Sequence, residues 1–472
     1  MHEDTRSLTQ RTRAAGQIAA FGLCAAGLAV ILAVVAIFVA SNGNGGTKKA
    51  AAAPKTVDVE LGDLYVKPKS LEVPAGTVLT VSVHNAGQMQ HDLKLDGTTG
   101  TRLLGPGEHQ TVELGAIDAS TSAWCTVPGH REAGMEMKIT ATGGATDGAA
   151  QASTASASAA AANPDDAKID VDAKPDASWT ARDPKAPAAL PGTVHELTME
   201  TRETELEVAP GVKQQMWTFN LVGEQPTVPG PILRGKVGDT FKITLVNKGS
   251  VGHSIDFHAS KVAWNDKMRT INPGESLVYE FTADYAGAFM YHCGTNPTLH
   301  HIGNGMYGAV IIDPADLAPV DHEYVLVQSE LYTGPQGQPG DLTKMKNEQW
   351  DAVVFNGYVN QYKHQPIRVE PNQRVRVWVV DDGPSENSAF HIVGTIFDTT
   401  WKEGTYLLRP DARQGGSQVL DLQPAQGGFV EFSFAEKGLY PIVTHKFANV
   451  GKGALGLFQA GDVPPPAGGA SH

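Results

Sequence analysis

Two stretches of this chain read almost as copies of each other. Gly76-Thr77-Val78-Leu79-Thr80-Val81-Ser82-Val83-His84-Asn85 is followed by His91, and Gly238-Asp239-Thr240-Phe241-Lys242-Ile243-Thr244-Leu245-Val246-Asn247 by His253, so both give Asn-x5-His. Apolar and polar residues alternate through each run, which is the period of a strand with one face buried against a second sheet. A turn-and-strand pattern recurs three times, as Pro106-Gly107-Glu108 leading to Val112-Glu113-Leu114, Pro273-Gly274-Glu275 leading to Tyr279-Glu280-Phe281, and Pro424 leading to Val430-Glu431-Phe432. Three related β-sandwich units in tandem follow. The 51 glycines and 29 prolines that punctuate short Val, Thr and Ile runs agree with an all-β chain, and 472 residues suffice for several such cores.

The same alternation makes His292-Cys293, in Phe289-Met290-Tyr291-His292-Cys293-Gly294, the most informative pair. Neighbours on a strand point to opposite faces, so the pair offers a soft thiolate on one side and an imidazole on the other. Downstream, Cys293-x7-His301-x4-Met306 adds an imidazole and a thioether. Upstream, His253-Ser254-Ile255-Asp256-Phe257-His258 places His253 on one face and Asp256 and His258 on the other. Two His, one Cys and a weak axial Met are the donors of a blue-copper electron-transfer centre. His253, Cys293, His301 and Met306 are therefore assigned to one type 1 copper, and His258 and His292 to a second, type 2 copper with Asp256 beside it.

These motifs resemble those of the copper-containing nitrite reductases, over about Thr193 to Ala460. The resemblance implies two consecutive cupredoxin domains of Greek-key connectivity, 191–316 with the type 1 site and 317–462 without one. It puts the third type 2 ligand on His445, in Tyr440-Pro441-Ile442-Val443-Thr444-His445-Lys446, and a second proton-relay residue on His391, in Ser388-Ala389-Phe390-His391-Ile392-Val393-Gly394. Val393 falls where an apolar residue roofs the catalytic copper in that family. A homotrimer with its type 2 copper between subunits, and one-electron reduction of nitrite to nitric oxide and water, are further implications. A laccase-like multicopper oxidase is the rival enzyme, but it needs several His-x-His pairs, and no two histidines here stand in that relation. A non-catalytic copper-binding or electron-transfer protein is the other alternative; it has no need of Asp256 and His391 as acids.

The first unit, 55–142, ends in Cys125-Thr126-Val127-Pro128-Gly129-His130-Arg131-Glu132-Ala133-Gly134-Met135. With His91 this completes another type 1 set, and the unit is similar to small cupredoxins of the plastocyanin type. Met137 competes with Met135, and the repeated His-x4-Met step favours Met135. Two type 1 coppers and one type 2 copper per chain are expected, the first unit acting as a tethered electron carrier. The stretch 143–190, rich in Ala, Ser, Asp and Pro, reads as a flexible linker whose last part drapes over the catalytic unit, and 463–472 as a disordered tail.

Ile18 to Ala40 carries no charge and is long enough for a transmembrane helix. Arg6, Arg11 and Arg13 then keep 1–17 cytoplasmic and put the copper domains outside the membrane, at the cell surface or in the periplasm. A signal peptide cleaved near Val34-Val35-Ala36 is the alternative. The three cysteines, Cys24, Cys125 and Cys293, form no disulfide framework, and a formal charge of -14 argues against a nucleic-acid partner. Nitrite and an unidentified electron donor are the expected partners. His300 is passed over as a ligand, His84 reads as a solvated strand residue, and His109, His195, His322 and His364 read as surface residues.

Overall fold

The computed structural model describes residues 53–131, 133–142, 165–410 and 415–463. The membrane helix expected over 18–40, Cys24 and the tail beyond 463 lie outside them. Among the described residues, no helix is long and apolar enough to cross a membrane.

Among the described residues strands dominate, in six sheets that come in three successive pairs along the chain. Each pair repeats one plan. Lys55–Gly62 lies parallel to Thr77–Asn85, Val194–Ala209 to Thr240–Asn247, and His322–Leu331 to Val375–Gly383. In the facing sheets Ser70–Pro74 is parallel to Glu136–Thr142, Leu233–Lys236 to Tyr307–Asp313, and Ile367–Val369 to Leu455–Ala460. A parallel pair cannot be closed by a hairpin, so the chain crosses between the two sheets of each pair and packs them face to face.

Burial follows the alternation read from the sequence. Thr77–Asn85 buries every second residue, and so does Thr240–Asn247. Val375–Gly383 departs from this, being buried on both faces. Val375, Val377 and Val379 fill the core of their own sheet pair, whereas Trp378 and Val380 meet Met290, Ala309 and Ile311 of the preceding pair. That shared apolar layer fixes the strand Gly287–His292, which leads directly into Cys293, against the last portion of the chain. A buried ion network reinforces it: Arg234 donates to Asp313 (2.9 Å) and Glu323 (2.8 Å), and Glu323 also accepts from Arg376 (3.1 Å) and Trp378 Nε1 (2.7 Å). Each buried charge has its counter-charge, as burial demands.

Of the linker expected over 143–190, residues 165–190 are among those described. Its portion from 165 is laid on the two later sheet pairs: Asp166 pairs with Lys344 (2.9 Å), Ala186 N–H donates to Glu323 O (2.9 Å), and Val325 N–H to Pro184 O (2.8 Å). The Arg182 guanidinium donates to the Pro229 and Gly230 carbonyls. A segment too polar to build a core of its own is ordered here by backbone groups that find partners on a finished surface.

Candidate metal centres

Asn247, at the end of its strand, donates through one side-chain amide to Val251 O (2.8 Å) and Ile271 O (2.9 Å), and accepts from Gly249 N–H (2.9 Å). That single residue shapes the loop that presents His253. His301 sits on the short helix Thr298–Gly303, and Met306 just precedes the strand Tyr307–Asp313. His301 Nδ1 lies 3.3 Å from both His253 Nδ1 and Cys293 Sγ. Cys293 N–H donates to Met306 O (3.1 Å) and Met306 N–H to His301 O (3.1 Å), which locks the loop to the strand end. All four side chains are buried. Glu203 Oε1 stands 3.4 Å from His253 Nε2, on the ring edge away from the thiol. Burial alone would raise the Cys293 thiol, but the adjacent His301 and His253 outweigh it and hold it well below the usual thiol range. Burial lowers His301.

The first unit contains the same construction. Asn85 donates to Met89 O (2.8 Å) and Leu104 O (2.9 Å) and accepts from Gly87 N–H (3.0 Å). His91 Nδ1 is 3.1 Å from His130 Nδ1, and Cys125 Sγ is 3.6 Å from His130 Nδ1. Cys125 N–H donates to Met135 O (3.0 Å) and Met135 N–H to His130 O (3.0 Å). Met135 thus occupies the place of Met306, whereas Met137 lies opposite Ala123 in the sandwich core. Asp63 Oδ1 stands 3.1 Å from His91 Nε2, as Glu203 does at the other pocket. Burial, together with the Asp92 carboxylate, pushes the Cys125 thiol up to about 12, and burial followed by the imidazoles of His91 and His301 brings His130 down to about 3. In both pockets two buried imidazole nitrogens face each other beside a sulfur, a soft donor set that a copper ion between them satisfies.

On the opposite face of Cys293, Asp256 stands directly across from His292 in the antiparallel pair of Asp256–Phe257 with Gly287–His292. His258 Nε2 lies 3.0 Å from His292 Nε2, and Asp256 Oδ2 3.9 Å from it. The His292 Nδ1–H donates to Cys293 O (2.9 Å), leaving Nε2 free to act as the donor atom. Burial and the neighbouring His292 lower His258, whose side remains open to solvent. One acid and two imidazoles, with ligand atoms within 4.8 Å of each other, form this group. His445 is not among them. It follows the strand Gly438–Thr444, exposed, with its ring 5.1 Å from that of His391, whose Nδ1–H meets Gln418 O. Val393, two residues on from His391, is half-buried and donates to Pro441 O (2.8 Å). Within one chain the expected type 2 set therefore comes in two halves.

Other histidines behave as follows. His300 is buried, its Nε2–H donating to Gly340 O (2.9 Å) while Nδ1 finds no partner. His109 is exposed and stacks on His84 at 4.1 Å. His195, expected at the surface, is instead buried with Nε2 2.8 Å from Asp239 Oδ2, because the parallel strand pairing brings Asp239 over its ring. His322 and His364 are half-buried. Sequence reasoning missed Glu203 and Asp63, which lie 50 and 28 residues from the imidazoles they touch, and Trp217, whose ring is 4.6 Å from that of His301. No local pattern marks contacts made between sheets.

The multicopper oxidase family profile matches residues 200–316, and the cupredoxin-like domain profile residues 29–123. A copper-containing nitrite reductase of Neisseria gonorrhoeae is 35% identical over 296 residues, covering 59% of this chain and 72% of that relative. The chain belongs to the copper-containing nitrite reductases. Within that family, the relative from Cereibacter sphaeroides is 28% identical over 296 residues, covering 57% of this chain and 76% of its own. The solved copper nitrite reductase from Nitrosomonas europaea superposes with a TM-score of 0.52 at 33% identity, covering 59% of this chain and 98% of that one. Family membership makes the chain an oxidoreductase with a mostly β, cupredoxin-type fold, and its His-Cys-His groups fit the copper of the family.

Proposed function

We propose that this chain reduces nitrite to nitric oxide and water, taking one electron and two protons per turnover, and that it is built of three cupredoxin domains in tandem. His253, Cys293, His301 and Met306 would hold a type 1 copper, and His91, Cys125, His130 and Met135 a second one. His258 and His292, with His445 reaching them from a neighbouring subunit of a homotrimer, would hold a type 2 copper. Bound in these sites, copper supplies a one-electron carrier beside each cysteine and a Lewis acid with an exchangeable position among the imidazoles.

The residues of the chain do the rest. Asp256, beside the open His258–His292 group, holds a proton for the nitrite oxygen that leaves as water. His391, its Nδ1–H anchored by Gln418 O, presents Nε2 for the second proton. Val393 supplies an apolar wall of the anion pocket. The 18–40 helix anchors the chain, with its copper domains outside the membrane, and an unidentified donor supplies the electrons.

The observation that carries this reading is the pair at the end of one strand: the Cys293 thiol faces two buried imidazoles, and the ring of the adjacent His292 faces an open acid–imidazole group. Copper-loaded protein given a reductant and nitrite should release nitric oxide. Asp256→Asn should lower turnover about 100-fold while both kinds of copper signal persist. Full turnover in that variant removes Asp256 from the proton path.

A further inference from the structure

We infer that the first unit and the catalytic unit of one chain meet in an electron junction, across which His130 of the Cys125 pocket delivers to His301 of the Cys293 pocket. This rests on the reading that both pockets hold copper. In each pocket Nδ1 turns to the thiol, so Nε2 is the outer edge. The two rings line one cavity of about 20 Å³, enough for a single water molecule between them. Met89 and Pro128 wall it on one side, Trp217 and Val251 on the other. Beside the cavity the Gly129 backbone, at φ +80°, lies directly on His300: a Cβ there would stand 2.3 Å from His300 Nδ1. Both the positive φ and the close approach require glycine.

The seam is small and mixed, with Gln90, Ser250 and Asn296 beside the apolar residues; a contact of this size is weak, as redox contacts are, and its occupancy comes from the two units sharing one chain. Its direction follows from the residue after the first histidine of each pocket. Asp92 follows His91, is buried, and accepts from Thr126 N–H (2.6 Å) next to Cys125; Ser254 follows His253. A fixed negative charge beside one sulfur, partly countered by Lys94 at 3.6 Å, favours the oxidised metal in that pocket. With copper held in both pockets, one electron would pass from the Cys125 side to the Cys293 side, oxidising the first ion from copper(I) to copper(II) and reducing the second from copper(II) to copper(I); no proton moves and no bond is made. With His301 only 3% exposed, a separate donor cannot reach its outer edge while the units are docked.

The full copper-loaded chain tests this. Cys125→Ser should remove one of two cysteine–copper absorption components, and if it removes none, the copper reading of the first pocket fails on its own terms. Given two components, flash reduction should be followed by a first-order re-equilibration whose rate does not depend on protein concentration. Leu103→Glu places a charge on the rim of the seam, touches no ligand, and should slow that phase at least tenfold. A rate that scales with concentration, or that Leu103→Glu leaves unchanged, overturns the junction. Asp92→Asn should raise the equilibrium share of the electron on the Cys125 side about tenfold, and an unchanged share overturns the direction.

Discussion

Around Cys125 and Cys293 the chain builds one pocket twice, and the two copies part on their far faces. Each has an asparagine that shapes the first histidine loop, a carboxylate on the outer nitrogen of that histidine, and reciprocal backbone bonds that lock cysteine, second histidine and methionine together. The strand register behind the cysteine is also the same: Lys94 faces Trp124 as Asp256 faces His292. What differs is chemistry at matched positions. Trp124 packs under the Arg131 guanidinium at 3.6 Å, whereas His292 meets His258 and Asp256. The proposed division of roles, an electron carrier at one pocket and half of a catalytic pair beside the other, follows this change of the neighbouring strand positions from Lys and Trp to Asp and His.

The largest test of that contrast is the residue before each cysteine. His292→Ala should cut nitrite turnover about 1000-fold while both cysteine–copper absorptions remain, because it removes a ligand without touching either sulfur. Trp124→Ala should leave turnover with a small-molecule reductant within about twofold and reduce only the stability of the first unit. Equal effects would break the comparison.

Next come the paired asparagines. Asn247→Ala and Asn85→Ala each take the side-chain donor from two carbonyls, of which Ile271 O and Leu104 O keep a backbone N–H, and the acceptor from a glycine N–H, so each should cost about 3 kcal/mol, read by denaturant unfolding. The loss should appear in the transition of the unit that carries the substitution. Loss of both transitions together would show that the seam couples the units more tightly than a small docking contact can.

The last contrast concerns pH. Burial pushes Glu330 up to about 7, against the hydrogen bonds it accepts from Tyr332, Ser385 and Glu386. A folded value above the unfolded 4.5 means that its contribution is whole below about 4.5 and is lost as pH rises through 7, on the order of 3 kcal/mol. Glu330→Gln should flatten that slope. In the first unit, burial would raise Asp63, but bonds from His91, Gln88 and Met89 outweigh it and lower the group, so its contribution is lost in the other direction, as pH falls. Unfolding of the two units followed from pH 4 to 8 distinguishes the signs.

Much of this was legible because it is local. Strand alternation placed His253 with Cys293 and Asp256 with His292, and the repeated His-x4-Met step chose Met135 over Met137; the backbone bonds of the two pockets agree. Less local features were not legible. His195 read as a surface residue until Asp239 closed over it, and Val375–Gly383 is buried on both faces only because a second sheet pair packs on its outer side. The ordered course of 165–190 likewise depends on a surface that other residues build.

By itself the sequence determined the fold class, the donor sets of the two cysteine pockets and the faces on which the neighbouring acid and imidazoles lie. It could do so because side-chain direction along a strand has a period of two residues and needs no information from elsewhere. Only the tertiary structure decided that Glu203 and Asp63 back the first histidines, that His445 stands with His391 rather than with His258, and that Gly129 rests on His300. Those distances are set by how sheets far apart in the chain pack on one another, which no periodicity encodes.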